Sequence, residues 1–258
     1  MTTQPVEGLE RPLGRTFDFA SWRLGPTRLL AAGCVATFAA SAWAEGGAWR
    51  VAGSLLVLDV VLQVLPWRLP RSHRTTSSIL LEESMYLLVP TVFLAVVLVE
   101  RASWITALPA PWWYAVAAAV GVVLVRIGGM PIRALLTGAL AFLAPPLRRT
   151  HKWVRVISIV VAPPGEEALF RGVVLAASHA AGLPLGLAGG AAFVARHHLP
   201  PGFNARTSRR VFLAQVVAAS ALLVLTLASG SIYPALLAHL VNNAPSLLLE
   251  GQRRTTAP

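Results

Sequence analysis

The sequence predicts an all-α fold, a polytopic membrane helical bundle of about eight transmembrane helices with one short interfacial or re-entrant helix. Three observations lead there. The chain is 55% hydrophobic and 13% charged, with mean hydropathy +0.64, far from the averages of a soluble domain. Its apolar runs of roughly 17 to 21 residues can cross a hydrocarbon core of about 30 Å at 1.5 Å rise per residue. Its cations, finally, collect in alternate loops between those runs.

Taken in order, the expected spans are 28–44, 51–67, 79–99, 112–127, 155–178, 184–198, 211–228 and 232–249. The stretch 132–144 is too short to cross, and its flanks, Arg133 before and Pro145 and Pro146 after, suit a helix in the interface or a re-entrant segment. With eight crossings, nineteen of the 22 lysines and arginines fall on one side. Only Arg50 and Arg101 fall on the other, and Arg171 lies within a span. Both termini are therefore expected in the cytoplasm of a cell-membrane protein. A ninth crossing would export the basic loop RRTHK, which argues against it. The net charge of +11 is accounted for by cytoplasmic loops facing anionic lipid, so no nucleic-acid partner is needed.

The expected organisation is a cytoplasmic tail at 1–27, a single transmembrane domain at 28–249 and a tail at 250–258, both ends mobile. The first 27 residues lack an apolar h-region and a cleavage pattern, so no removable signal peptide is expected. Cys34, the only cysteine, has no partner for an internal disulfide and is expected to pack in the first span.

Charges inside the spans carry the functional signal. An Asp or Arg at a helix centre costs roughly 2.5 to 3.5 kcal/mol, so Glu166, Glu167 and Arg171 in PPGEEALFRG are expensive together. Glu167 and Arg171 are four residues apart with the acid N-terminal, the favourable order for an ion pair. Glu166 points about 100° away around the helix and needs a distant partner or a proton, as a general acid or base would. Pro163 and Pro164 should bend or break the helix just before it, which membranes tolerate where protein or a wet cavity satisfies the freed backbone.

Two further spans carry polar pairs at helical spacing. His239 and Asn243 share a face of YPALLAHLVNNAPSLLL, and Phe193 and His197 share one of GGAAFVARHHLPP. A single intramembrane histidine reads as packing glue. Acids, histidines and an asparagine on three helices read as a catalytic or ion-handling site.

These blocks resemble the CPBP intramembrane proteases, the CAAX protease and bacteriocin-processing or Abi family that includes the Rce1-type prenyl proteases. The family pattern EExxxR, FxxxH and HxxxN is matched by EEALFR at 166–171, FVARH at 193–197 and HLVNN at 239–243. The resemblance covers about 155–249, which it marks as a catalytic core, and implies an endopeptidase acting on a membrane-associated protein or peptide, prenylated in some members. It also implies a water activated by Glu166 with His197, an oxyanion stabilised by His239 and Asn243, and supporting roles for Glu167, Arg171 and Phe193. Glu166, His197 and His239 could instead ligate Zn²⁺ with a position open for water; the glutamate mechanism requires no cofactor. HExxH is absent, which favours the glutamate route, although the family is commonly labelled a metalloprotease. The sequence departs from the family in having AGGAA where serines are common before the second block. Its doubled histidine, His197 and His198, leaves the choice between them open.

Other residues read blandly. Asp59 lies in the second span, where it would meet an arginine or line a cavity; Glu82 and Glu83 belong to an interface; His73, His151 and His179 belong to loops; the eight tryptophans belong to interfacial belts. A rhomboid-like serine protease is disfavoured because LASGS, around Ser229, lacks the leading glycine of GxSG. The alternative is a non-proteolytic membrane protein, either a proton-coupled transporter or a chaperone-like or bacteriocin-immunity protein that binds without cutting. Its partners would be membrane lipid and a membrane-associated protein.

Overall fold

A computed structural model describes residues 25–64, 76–142, 146–177, 179–197 and 209–256. The described chain is helical apart from one two-residue strand pair. Helices α1 (Pro26–Ala44) and α2 (Gly47–Val64) form a hairpin around Gly46 and Gly47, whose positive φ values of 82° and 49° allow the tight reversal. Then come α3 (Thr76–Val99), a 3₁₀ turn at Ser103–Ile105, and α4 (Trp112–Gly128), closed by a left-handed Gly129. Short α5 (Ile132–Leu136) and a 3₁₀ turn at Ala139–Phe142 fill the stretch expected not to cross. β1 (Leu147–Arg148) leads into α6 (Arg149–Phe170) and α7 (Gly172–Ala176). The chain ends with α8 (His179–Arg196), α9 (Arg209–Ser229), α10 (Tyr233–Gln252) and β2 (Thr255–Thr256).

Over the described residues, each of the eight apolar runs falls on a helix or, for 155–178, on α6 and α7 in series. Two helices, Pro26–Ala44 and Val211–Ser229, are long and apolar enough to cross a membrane on length and composition alone. Tyr86–Val99, Trp112–Gly128 and Ala181–Arg196 are shorter apolar stretches. The outer surface carries exposed Leu30, Val99, Val123, Leu187 and Val224, the kind of apolar exterior that water would not tolerate in bulk.

Close helix packing rests on small residues. A Cβ on Gly53 of α2 would lie 2.5 Å from the Ala39 carbonyl oxygen of α1, and one on Gly165 of α6 would lie 2.5 Å from the Pro90 carbonyl oxygen of α3. A Cβ on Gly121 of α4 would stand 2.6 Å from the Val241 Cβ of α10. The main core, with Val35, Phe38, Leu56, Phe93, Leu169 and Phe170, lies among α1, α2, α3, α6 and α8. A second cluster of Ala117, Leu222, Leu225, Ala235 and Ala238 joins α4, α9 and α10.

Several expectations are corrected. The break does not fall at the proline pair: α6 continues through Pro163 and Pro164 to Phe170, and the chain departs from helix at Arg171 (φ −115°, ψ −30°). Two prolines remove two donors, but the flanking hydrogen bonds and packing hold the helix; at 171 the chain turns so that Gly172 can pass Trp104, which a Cβ would meet at 2.6 Å. Trp49 is a core rather than a belt residue: it is buried against Phe93 at 4.6 Å, and the partly buried Trp104 stacks 6.1 Å from Trp49, centroid to centroid. His151 is buried in the first turn of α6 rather than placed in a loop. The C-terminal end is ordered through Thr256, where β2 pairs in parallel with β1 and Lys152 donates to the carbonyls of Gly251 and Arg253. His73 and His198 lie outside the described residues, as do the side chains of Glu82, Glu83 and His179.

Candidate active site

Glu166 and Glu167 sit in the last turn of α6, 1% and 0% exposed. The two acids have different neighbours. Glu167 Oε1 accepts from His239 Nδ1 of α10 at 2.7 Å. Its contact with Arg171 Nη1 is longer, 3.4 Å, close enough for charge attraction but without hydrogen-bond geometry. The anticipated Glu167–Arg171 pair is therefore present, yet histidine is the closer partner. Arg171 instead spreads its guanidinium over the Phe193 ring, 4.2 Å from the centroid, a cation–π contact strengthened by desolvation.

Glu166 does find distant partners. Tyr86 of α3 donates its hydroxyl to Oε1 at 2.6 Å, Arg196 Nη1 lies 3.6 Å from the same oxygen, and His239 Nε2 lies 3.9 Å from Oε2. Arg196, counted from sequence with the cations of the cytoplasmic side, is 4% exposed and packs inside the bundle. Its Nε donates to Asp59 Oδ2 of α2 at 2.8 Å, and its Nη2 donates to the Tyr86 carbonyl at 2.6 Å. That carbonyl needs an outside donor because the residue four positions on, Pro90, has no N–H. Asp59 thus meets an arginine, and through it reaches the site.

His197 closes α8 beside this network. Its Nδ1 faces the Phe193 carbonyl at 2.8 Å, and because a carbonyl only accepts, Nδ1 carries the hydrogen. Nε2 then faces the Tyr86 hydroxyl at 3.5 Å. The Glu167 carboxylate orients His239 in the same way through Nδ1, which turns its Nε2 toward Glu166. Phe193 stands between the imidazoles, its ring centroid 5.0 Å from that of His197 and 5.8 Å from that of His239, edge to face with both.

Glu166, Asn243 and Tyr86 line a cavity of about 170 Å³ together with Arg155, Ser158, Ile159, Ala162 and Ser246. That volume holds several waters. Ile159, which lines this cavity, is also the residue whose carbonyl loses its helical donor to Pro163. The structure thus brings Glu166, His197, His239 and Asn243 together from α6, α8 and α10, with Glu167, Arg171 and Phe193 around them. Sequence reasoning missed Tyr86 and left Asp59 and Arg196 unconnected. The spacing of Tyr86 and Pro90 was the one local signal of an unsatisfied carbonyl at that level.

The donor set does not fit a metal ion as it stands. No group of three or more His, Cys, Asp or Glu side chains able to hold one is present among the described residues. The Tyr86 hydroxyl occupies the position between Glu166 and His197 that a shared ion would take. Ser229 does not present itself as a serine nucleophile either, since its hydroxyl donates to the Leu225 carbonyl at 2.6 Å.

Glu166, Glu167, His197, His239 and Asn243 lie within one segment that resembles a known family. Residues 148–245, a little over a third of the chain, match the family model described as type II CAAX prenyl endopeptidase, Rce1-like. Over those residues the chain is similar to the Rce1-like, CAAX-protease-like family. The matched segment includes the three motif blocks and excludes Asp59 and Tyr86. No curated protein and no solved structure matches the chain.

Proposed function

We propose that this protein hydrolyses a peptide bond in a membrane-associated protein or peptide by means of a water held in the 170 Å³ cavity and activated by Glu166. The observation that carries this reading is the placement of Glu166, its Oε2 turned toward His239 and its side chain on the same cavity wall as Asn243. Glu166 takes the proton of the attacking water as the oxygen adds to the substrate carbonyl carbon. The negative charge that develops on the carbonyl oxygen is met by the Asn243 amide and by His239 Nε2 when that nitrogen carries a proton. Glu167 keeps His239 in register, as a carboxylate does for a catalytic imidazole. Glu166 then returns its proton to the departing amine. No metal takes part in these steps.

Substrate access follows from the cavity wall. Arg155, 44% exposed, lies eleven residues before Glu166, about 16 Å along α6, so the cavity is open on the side of β1 and the basic loop before α6. With eight crossings and both termini inside, that side is cytoplasmic, and a substrate enters as a tail from the cytoplasm.

The test is cleavage of a panel of farnesylated and unprenylated membrane peptides by the purified protein in detergent. Wild type should cut at least one peptide, and Glu166→Ala and His239→Ala should lose at least a thousandfold in kcat while remaining folded. A folded wild type that cuts nothing across the panel would favour the non-proteolytic binding reading.

A further inference from the structure

We infer that Tyr86 is a positioning residue of this catalytic centre, its hydroxyl clamping Glu166 Oε1 so that Oε2 is the oxygen offered to water; the inference rests on the endopeptidase reading above. The geometry is specific. The 2.6 Å contact from Tyr86 is the shortest to Glu166 among the described residues, closer than either cation. A neutral donor at that distance restrains the carboxylate without discharging it, whereas an arginine equally close would tie the base up as a salt bridge. The same hydroxyl lies 3.5 Å from His197 Nε2, and Tyr86 lines the 170 Å³ cavity beside Glu166.

Tyr86 is itself fixed from behind. Pro90 withholds the helical donor from the Tyr86 carbonyl, and Arg196 supplies one at 2.6 Å while its guanidinium packs 4.8 Å from the tyrosine ring centroid. Asp59, 2% exposed, holds Arg196 at 2.8 Å. Gly165, next to the base, lets α6 approach the Pro90 carbonyl closely enough for the phenol to reach. A packing tyrosine would require none of these: not the proline-freed carbonyl, not the buried ion pair from α2, not the glycine opposite. Together they deliver one hydroxyl to one carboxylate oxygen. The unit is assembled from α2, α3 and α8 around the end of α6, and Asp59 and Tyr86 precede the segment that matches the family model.

The experiment compares wild type, Tyr86→Phe, Glu166→Ala and the double variant, with kcat and KM measured on a peptide that wild type cleaves and Tm measured in detergent. Tyr86→Phe should lower kcat about 10- to 100-fold, the factor carried by a hydrogen bond to a charged group, with KM within about twofold of wild type. In the Tm series the double variant should lose less than the sum of the two single losses, because both remove the same bond. Tyr86→Phe with wild-type kcat overturns the inference, while an inactive Glu166→Ala beside it leaves the endopeptidase reading standing. Should wild type cleave nothing, that reading fails first, and the Tm series then decides alone: additive losses overturn the clamp, coupled losses support it. A charge swap, Asp59→Arg with Arg196→Asp, separates positioning from scaffolding. It should recover Tm relative to either single variant yet stay low in kcat, since an aspartate at 196 cannot donate to the Tyr86 carbonyl; full recovery of kcat would overturn the role given to Arg196.

Discussion

Gly165→Ala is the sharpest physical test of how α3 delivers Tyr86 to the base. An alanine Cβ there would lie 2.5 Å from the Pro90 carbonyl oxygen, 2.6 Å from its carbonyl carbon and 2.8 Å from its Cβ. Ordinary carbon contacts begin near 3.5 Å, and the atoms opposite are backbone and a proline ring, neither of which has a rotamer to swing away. The helices must part by about 1 Å. Overpacking of this kind costs about 1 to 3 kcal/mol, while exchanging glycine for alanine within a helix returns about 0.5 to 1 kcal/mol. A displacement of about 1 Å also stretches the 2.6 Å Tyr86–Glu166 bond past hydrogen-bonding range. The net expectation is a loss of about 1 to 2 kcal/mol, or roughly 2 to 8 °C in Tm for a chain of this size, with kcat falling as it does in Tyr86→Phe. The control is Gly33→Ala in α1, where a Cβ meets nothing within 4 Å and stability should hold or rise. Thermal unfolding of both variants in the same detergent decides it. Equal Tm values for Gly165→Ala and Gly33→Ala would refute the claim that α3 and α6 touch through backbone at this point.

Other outcomes follow from the same contacts. Pro90→Ala should hold or raise Tm by restoring a helical donor to the Tyr86 carbonyl, yet lower kcat because Arg196 loses that acceptor; a matching rise in both Tm and activity would contradict the account of Arg196. Asp59→Ala strands the Arg196 guanidinium in the interior and should cost about 3 to 5 kcal/mol, visible as a Tm drop of about 6 °C or more; an unchanged Tm would mean that water reaches the site. Gly121→Ala should push α10 away from α4, since its Cβ would lie 2.6 Å from Val241 Cβ and 2.8 Å from the Ala238 carbonyl oxygen; the loss should show in both Tm and kcat, because α10 carries His239 and Asn243. A strong chelator should leave cleavage within twofold of its untreated rate, and inactivation reversed by added Zn²⁺ would overturn the metal-free mechanism.

What the sequence determined by itself is the local physics. Span length and hydropathy mark each helix because crossing or packing in an apolar medium is decided residue by residue along a run, and over the described residues all eight runs are helical. Motif spacing placed Phe193 with His197 and His239 with Asn243, since a separation of four is fixed by the helix itself. The tertiary structure decided what came from afar. Tyr86 meets Glu166 across 80 residues and Arg196 meets Asp59 across 137, and no periodicity within a segment encodes which face turns toward which neighbour. Arg196 shows the difference plainly. In sequence it sits near the end of an apolar run and counts only as one more cytoplasmic-side cation; in the fold, α8 carries it inward, because Asp59 on α2 and the carbonyl freed by Pro90 on α3 together offset the cost of burying its charge.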